Sequence, residues 1–419
     1  MKFKYSKIFL LGFGFFGVSV VWGVYNAFVP VFLEEKFGLA PAWIGFFMTL
    51  DNISALFIQP AVGAWSDRLR TKIGRRMPFI LIGAPISAAA FGWIPLASVL
   101  PLFVAGTTTL ILSMALWRTP VVALMPDITP SPKRSQANGI INFMGGIGAI
   151  FSFLGGASLY ELNPAYPFWM GSALVIVAAL LVFLFIKEPK EYQLSEEEAG
   201  LFTNLKEVWE DQDKSALRLF AAILFWFVGY NAIEAFFTLY AKNYLGMTAA
   251  DGTRLLGHLS LFFVLSALIA GIVGGKIGRR KTIMGGIFLL GALLVTLYLL
   301  PPNLLTISLT SLPVLGNIPV ISLFLMASGV AWALININSL PMVVDMVEDA
   351  RIGTYTGLYY LFATLAAIIG PNMNGWIIQI FGNDYNSIML VAPTFMLLAF
   401  WMMAGVTRGE AKPIDKAIA

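Results

Sequence analysis

Apolar positions along this chain come in long runs separated by short charged or Pro/Gly-rich stretches. The runs are 8–33, 42–64, 79–99, 101–126, 139–160, 166–186, 217–241, 254–275, 282–300, 318–340, 355–380 and 387–407. A helix rises about 1.5 Å per residue, so each run is long enough to cross roughly 30 Å of hydrocarbon. The pattern predicts an all-α polytopic membrane protein of 12 transmembrane helices. Lys2, Lys4 and Lys7 give the first run a signal-peptide-like start. The stretch Ile8 to Leu33 is too long for such a peptide and no small-residue cleavage site follows, so it is read as a retained helix. The longest polar stretch, Lys187 to Lys214, carries Leu201, Phe202, Leu205, Val208 and Trp209 at helical spacing. It reads as an amphipathic surface segment that divides the chain into a six-helix bundle at 1–187, a linker at 188–216 and a second bundle at 217–419.

Composition sharpens this. The chain is 58% hydrophobic and 12% charged, with mean hydropathy +0.80, against about 25% charge in soluble domains. A soluble fold is excluded. The net charge of +4 and pI near 9.1 do not signal nucleic acid, because 23 of the 27 Lys and Arg residues lie on the side shared by both termini. Opposite them are only Lys36, Lys242 and Arg254, and Arg118 lies inside a span. The positive-inside rule makes both termini and the linker cytoplasmic, in a multi-pass protein of the cell membrane. There is no cysteine and a single histidine, His258, which removes Cys-based and multi-His metal sites and tells against an integral-membrane enzyme. His258 itself is expected to be structural, and no cofactor or metal is expected.

The chain repeats itself. Gly63-x-x-x-Asp67-Arg68, followed by Gly74-Arg75-Arg76, comes after span two. Gly271-x-x-x-Gly275-Lys276 and Gly278-Arg279-Arg280-Lys281 come after span eight. Asp127 with Asn138-Gly139 is echoed by Asp345 with Thr356-Gly357. Two related halves with a substrate site between them are a transporter architecture.

The stretch from Asp51 to Gly83 contains Ile53-Ser54, Gln59-Pro60, Val62-Gly63, Ser66-Asp67-Arg68, Gly74-Arg75-Arg76 and Pro78-Phe79-Ile80. It is joined by Arg118, Asp127, Thr129-Pro130, Arg134-Ser135 and Ala137-Asn138. These residues resemble the sucrose/proton symporters and the related glycoside–pentoside–hexuronide cation symporters of the major facilitator superfamily. The resemblance implies the major facilitator fold, with two pseudo-symmetric bundles, and cation-coupled sugar or glycoside transport by alternating access. It carries a sugar and proton role to Arg118. It also implies a cytoplasmic gate at Asp67, Arg68, Arg75, Arg76, Asp127, Arg134 and Asp345, the acidic Asp67 meeting the start of helix 11 and the basic residues pairing across the halves. Glu348 and Asp349 are further acidic partners near that start. Two departures stand out. Thr107 occupies the position of the family's helix 4 aspartate, and Ala55 and Gln59 replace the sodium-binding carboxylates of the melibiose-type relatives.

Three ionisable side chains remain inside the spans: Asp51, Arg118 and Glu234. Each costs roughly 3 kcal/mol or more at the bilayer centre, so each is expected to face a cavity or a partner. A plain Asp51–Arg118 pair pinning two helices is the bland alternative, though counting residues along the helices sets Asp51 level with Glu234 and Arg118 deeper. Glu234 is the first candidate for proton coupling and Asp51 the second. Tyr230 shares a helix face with Glu234, beside Trp226 and Asn231, and desolvation among aromatics favours a neutral carboxyl. Arg118 stays charged and offers a fork of donors to a carboxylate or to sugar hydroxyls. Sugar recognition needs uncharged polar groups and flat apolar faces. Candidates are Trp22, Tyr25, Asn26, Tyr230, Asn231, Trp332 and Asn336 with Arg118, on the helices that line the cavity in the superfamily. Glycines of span five (Gly145, Gly146, Gly148, Gly155, Gly156) and span eight (Gly271, Gly274, Gly275) suit close helix contact. The expected partners are the lipid bilayer and a small-molecule solute, a sugar first, taken by a monomer with a proton, or alternatively Na+, as coupling ion. A carrier for a hydrophobic drug is the second reading. A carboxylate substrate would want more cavity cations than Arg118.

Overall fold

A computed structural model describes residues 5–130, 133–188, 208–347 and 351–410, without the side chains of Tyr5, Arg134 and Ser135. Linker residues 189–207, Glu348, Asp349 and the Arg134 side chain therefore lie outside the described residues. Among the described residues, twelve helices are long and apolar enough to cross a membrane. In the first half these are α1 (Ser6–Glu35), α2 (Pro41–Arg68), α3 (Met77–Leu96), α4 (Leu100–Ile128), α5 (Gln136–Leu162) and α6 (Tyr166–Phe185). In the second they are α7 (Ser215–Asn243), α8 (Ala249–Ile277), α9 (Arg279–Leu299), α10 (Val320–Val344), α11 (Ile352–Ile380) and α12 (Tyr385–Ala404). Each apolar run of the sequence coincides with one of them to within a few residues at either end.

Two of the spans are interrupted away from their ends. In α2 a turn at Met48–Thr49 separates Pro41–Phe47 from Leu50–Arg68. In α5 a π-helical turn, Phe151–Gly155, interrupts the ladder; such single turns concentrate at functional sites.

The packing repeats between halves. α1 lies against α5 and α6, α3 against α4 and α6, and α2 against α4. Adding six to every label gives the second half: α7 against α11 and α12, α9 against α10 and α12, α8 against α10. The halves meet where α2 touches α11, α5 touches α8 and α1 touches α7, the contact set of a pseudo-two-fold axis. Glycine explains some of the close approaches. A Cβ on Gly148 would stand 2.6 Å from the Phe16 carbonyl oxygen, one on Gly274 would overlap the Asn338 amide, and one on Gly146 would stand 2.9 Å from Val264 of the other half. Gly275 has nothing within 4 Å, and Gly155 meets only its own neighbour Phe151, so the close-contact reading fails at those two positions.

Between α9 and α10 the chain forms a hairpin of β1 (Ser308–Leu312) and β2 (Gly316–Pro319). His258 is fully buried beneath it, its ring nitrogens 3.0 Å from the Ser322 hydroxyl and 3.0 Å from the Leu315 carbonyl. The histidine ties α8 to the hairpin turn and to α10.

Candidate functional site

A chamber of about 290 Å³ sits between the halves, walled by α1, α4, α5, α7, α8 and α10. Its wall includes Trp22, Asn26, Arg118, Tyr230, Glu234 and Trp332. On α1 the spacing Ser19, Trp22, Asn26 keeps three chamber residues on one helical face. On α7, Tyr230 and Glu234 stand one turn apart for the same reason. Across the chamber the Tyr230 ring stacks on Trp332, with centroids 4.0 Å apart and planes 6° from parallel, so α7 and α10 together present a rigid aromatic wall. Phe227 meets the same Trp332 edge-on at 5.4 Å. One carboxylate, one guanidinium, one amide and the Ser19 and Ser260 hydroxyls face an otherwise apolar space. That set suits a small, hydroxyl-rich, uncharged solute, and it leaves a carboxyl available for a proton.

Other candidates stand elsewhere. Asp51 lies outside the chamber wall; its carboxylate accepts a hydrogen bond from the neighbouring Asn52 amide at 2.8 Å. It acts on Arg118 and Glu234 through space, and among the described residues no contact ion pair joins it to Arg118. The pinning alternative therefore loses its geometry. Tyr25 is absent from the wall; its ring packs edge-on against Trp22 at 5.4 Å, and it is 1% exposed, its hydroxyl without a partner. Asn231 turns back to donate to the Phe227 carbonyl at 2.7 Å. Trp226 is fully buried outside the wall. Asn336 is absent from the wall, about 6 Å beyond Trp332 toward the termini end of α10. Thr107 bonds to the carbonyls of Phe103 and Val104 within its own helix. Sequence reading missed Ser19, Ser260 and Phe153, all in the wall. Ser19 was reachable from its helical register with Trp22 and Asn26. Phe153 was not, since its direction is set by the π-helical turn.

Beyond the chamber, the end opposite the termini is sealed by contacts between the halves. Glu34 of α1 accepts from Lys242 at 3.0 Å, Asn243 at 2.9 Å and the Tyr385 hydroxyl at 2.5 Å. Lys242 also pairs with Glu35 at 2.9 Å, and Arg254 with Glu161 at 2.6 Å. Asn372 donates to the Thr49 hydroxyl at 3.0 Å, beside the break in α2. Gly45 and Gly375 let α2 and α11 touch backbone to backbone, for a Cβ on either would collide with a main-chain carbonyl, of Pro371 and Pro41 respectively.

At the termini end, the described ion pairs stay inside one half in this conformation. Arg75 and Arg76 bind Asp127, at 2.7 and 3.1 Å, and also Asp67. Arg279 binds Asp345, and Arg68 is exposed. The cause is local. Gly74 and Gly278 both take positive φ, 118° and 101°, turning Arg75, Arg76 and Arg279 back onto the end of the fourth helix of their own half, while Arg280 donates to the Met403 and Ala404 carbonyls at the end of α12. Two carboxylates unforeseen from sequence complete the repeat. Glu188, just after α6, accepts from the backbone N–H groups of Arg75, Arg76 and Met77 at 2.8–3.1 Å. Glu410, just after α12, accepts from those of Arg279 and Arg280 at 2.6 and 3.2 Å. Each stands at the positive N-terminus of the third helix of its half. Nearby, hydrogen bonding from Arg408 holds the Asp211 carboxyl below the usual carboxylate range.

The family model of the Major Facilitator Superfamily matches residues 11–309 and 256–418. Multidrug resistance protein 1 of Bacillus subtilis (strain 168) is 26% identical over 57% of this chain and 58% of its own length. Sucrose transport protein SUC4 of Arabidopsis thaliana is 30% identical over 34% of this chain and 31% of its own length. The matched region is thus less than two thirds of either relative. Among solved structures, the nucleoside transporter NupG superposes with TM-score 0.72 at 17% identity, covering 96% of this chain and 99% of that one. A bacterial homolog of the human lysosomal transporter Spinster, inward-facing and occupied, gives TM-score 0.68 at 14% identity, covering 96% and 94%.

Proposed function

The chain belongs to the Major Facilitator Superfamily, and from that premise we propose that it carries a sugar or glycoside, coupled to a proton, by alternating access. The observation that carries this reading is the chamber itself. A single carboxylate, Glu234, shares a wall with Arg118, Asn26 and the stacked Tyr230–Trp332 pair. A sugar presents hydroxyls and flat C–H faces. Arg118 and Asn26 meet the former, the aromatic wall the latter. Glu234 takes the proton, and Arg118, which cannot release one, fixes the charge balance around it. Asp51, close enough to act on both electrostatically, is the second carboxylate of the relay.

The distribution of Lys and Arg puts both termini in the cytoplasm. The sealed end is then external, and the chamber is reached from the cytoplasm in this conformation. The protein functions as a monomer, each chain holding a whole chamber.

The test is uptake of labelled sucrose, maltose and a glucoside into proteoliposomes with and without an imposed pH gradient, a sodium gradient serving as control. Accumulation of one of them driven by the pH gradient is expected. Glu234→Gln is expected to abolish gradient-driven accumulation, by tenfold or more, while exchange of the same sugar across the membrane persists. Accumulation that survives in Glu234→Gln removes the proton assignment. The longer matches to multidrug resistance proteins, over 57% and 66% of this chain, favour a second reading as a drug carrier. Gradient-driven movement of a lipophilic dye, with no sugar flux, would establish it instead.

A further inference from the structure

Beside the stacked Tyr230–Trp332 pair, walled mostly by the second half, lies a smaller apolar annex of about 40 Å³. Leu256, Leu290, Leu294, Leu325, Met389 and Met396 wall it. Glu234, Tyr230, Trp332, Leu259, Ser260 and Phe153 belong to both spaces, so the annex adjoins the chamber. Its volume would admit a water, but a bound water needs two to four polar partners. The deep hydroxyl, Ser328, is already committed to the Phe324 carbonyl at 2.8 Å. The remaining deep wall is hydrocarbon and thioether.

We propose that the annex is a binding pocket for a one- or two-carbon apolar substituent on the transported solute, so that the protein selects small alkyl glycosides over the parent sugars. The inference rests on the sugar reading and adds a size rule to it. A ring held in the chamber against Tyr230 and Trp332 projects a methyl or ethyl group past Glu234 into the annex. Each carbon buried there strengthens binding about fourfold. A phenyl group overfills the space and loses the gain, because a packed wall does not yield without strain.

The test titrates the purified full-length protein with D-glucose, D-galactose and D-xylose, each paired with its methyl glycoside, followed by ethyl and phenyl glucoside. The fluorescence of wall residues Trp22 and Trp332 provides the signal, checked by competition against labelled sugar uptake. For the sugar that binds, the methyl form is expected to bind three- to tenfold tighter than the parent, ethyl at least as well, and phenyl more weakly than ethyl. Ser328→Leu, which fills the annex, is expected to bring the methyl-to-parent ratio to about one. Met389→Ala, which widens it, is expected to move the optimum to phenyl. Using ratios within each variant separates the annex from any general loss of folded protein. Equal binding of parent and methyl forms overturns the annex while the sugar reading stands, as does a methyl preference that neither variant changes. Absence of binding by every sugar and glycoside, in protein that unfolds cooperatively, overturns the sugar reading and this extension together.

Discussion

At the end of the bundle opposite the termini, Glu34 of the first half takes hydrogen bonds from Lys242, Asn243 and Tyr385 of the second. At the termini end, Glu188 and Glu410 each hold the start of a helix in their own half. Similar chemistry thus serves two purposes. If the chain works by alternating access as proposed, a bond between halves exists in one conformation and breaks in the other, so it biases the equilibrium by its full free energy. A bond within a half moves with that half as a rigid body and biases nothing, since only differential stabilisation shifts populations. On that proposal the sealed end sets which state is populated, and the Arg-Arg turns set how rigid each half is.

The strongest way to break this comparison is at the backbone contact between α2 and α11. Gly45→Val puts a branched side chain against the Pro371 carbonyl, where no rotamer relieves it. Overpacking of this kind costs about 1–3 kcal/mol, so the seal should open by up to about a hundredfold. The chain has no cysteine, so a single cysteine at Asn26→Cys, in the chamber wall, reports access to maleimide added at the sealed end. A large rise in labelling rate is expected, and an unchanged rate would refute the seal. Gly375→Val, colliding with Pro41 from the other side, is expected to behave alike.

Glu34→Gln sharpens the same comparison with a smaller effect. Its side chain and that of Lys242 are 22% and 28% exposed, so solvent screens the pair only in part. A loss of about 1 kcal/mol translates to roughly fivefold faster labelling of the same cysteine. Raising salt from 0.1 to 1 M shortens the screening length from about 10 to about 3 Å and should move wild type in the same direction but leave Glu34→Gln less affected. Salt sensitivity undiminished in the variant would place the electrostatic part of the seal elsewhere, on Arg254 and Glu161.

What the sequence disclosed, and what it withheld, follows the same division. The spans were legible because hydrocarbon demands long uncharged helices, and the Arg-Arg repeat was legible because both halves solve one topological problem. Asp127 and Asp345, matched by spacing alone, do receive equivalent arginines. Tyr25, one turn from Trp22, entered the candidate set on spacing alone, although it packs against Trp22 outside the wall. The same limit admitted Asn231 beside Tyr230. Asn336 shares the face of Trp332 but not its depth. The amide that is buried against another helix is Asn338, bonded to the Ala270 carbonyl at 3.1 Å beside Gly274. The π-helical turn, the break in α2 and the choice between pairing within and across halves are tertiary outcomes. No local pattern encodes them, because each depends on which surface the opposite element presents.

The smallest expected effect tests the other side of the comparison. Glu188→Gln removes the charge that three consecutive backbone N–H groups share at the start of α3, and Glu410→Gln removes the charge serving two at α9. A charge at a helix N-terminus contributes about 0.3–1 kcal/mol, which in a chain of this size lowers the melting temperature by no more than about 1 °C. Glu188→Gln should be the more costly, since Glu188 is half-buried and Glu410 exposed. Neither substitution should alter maleimide labelling from the sealed end by more than about twofold, because both interactions travel with their own half. A tenfold change in labelling with either would mean that these turns do meet the opposite half during the cycle. The termini end would then be a gate built from the same residues that now brace the separate halves.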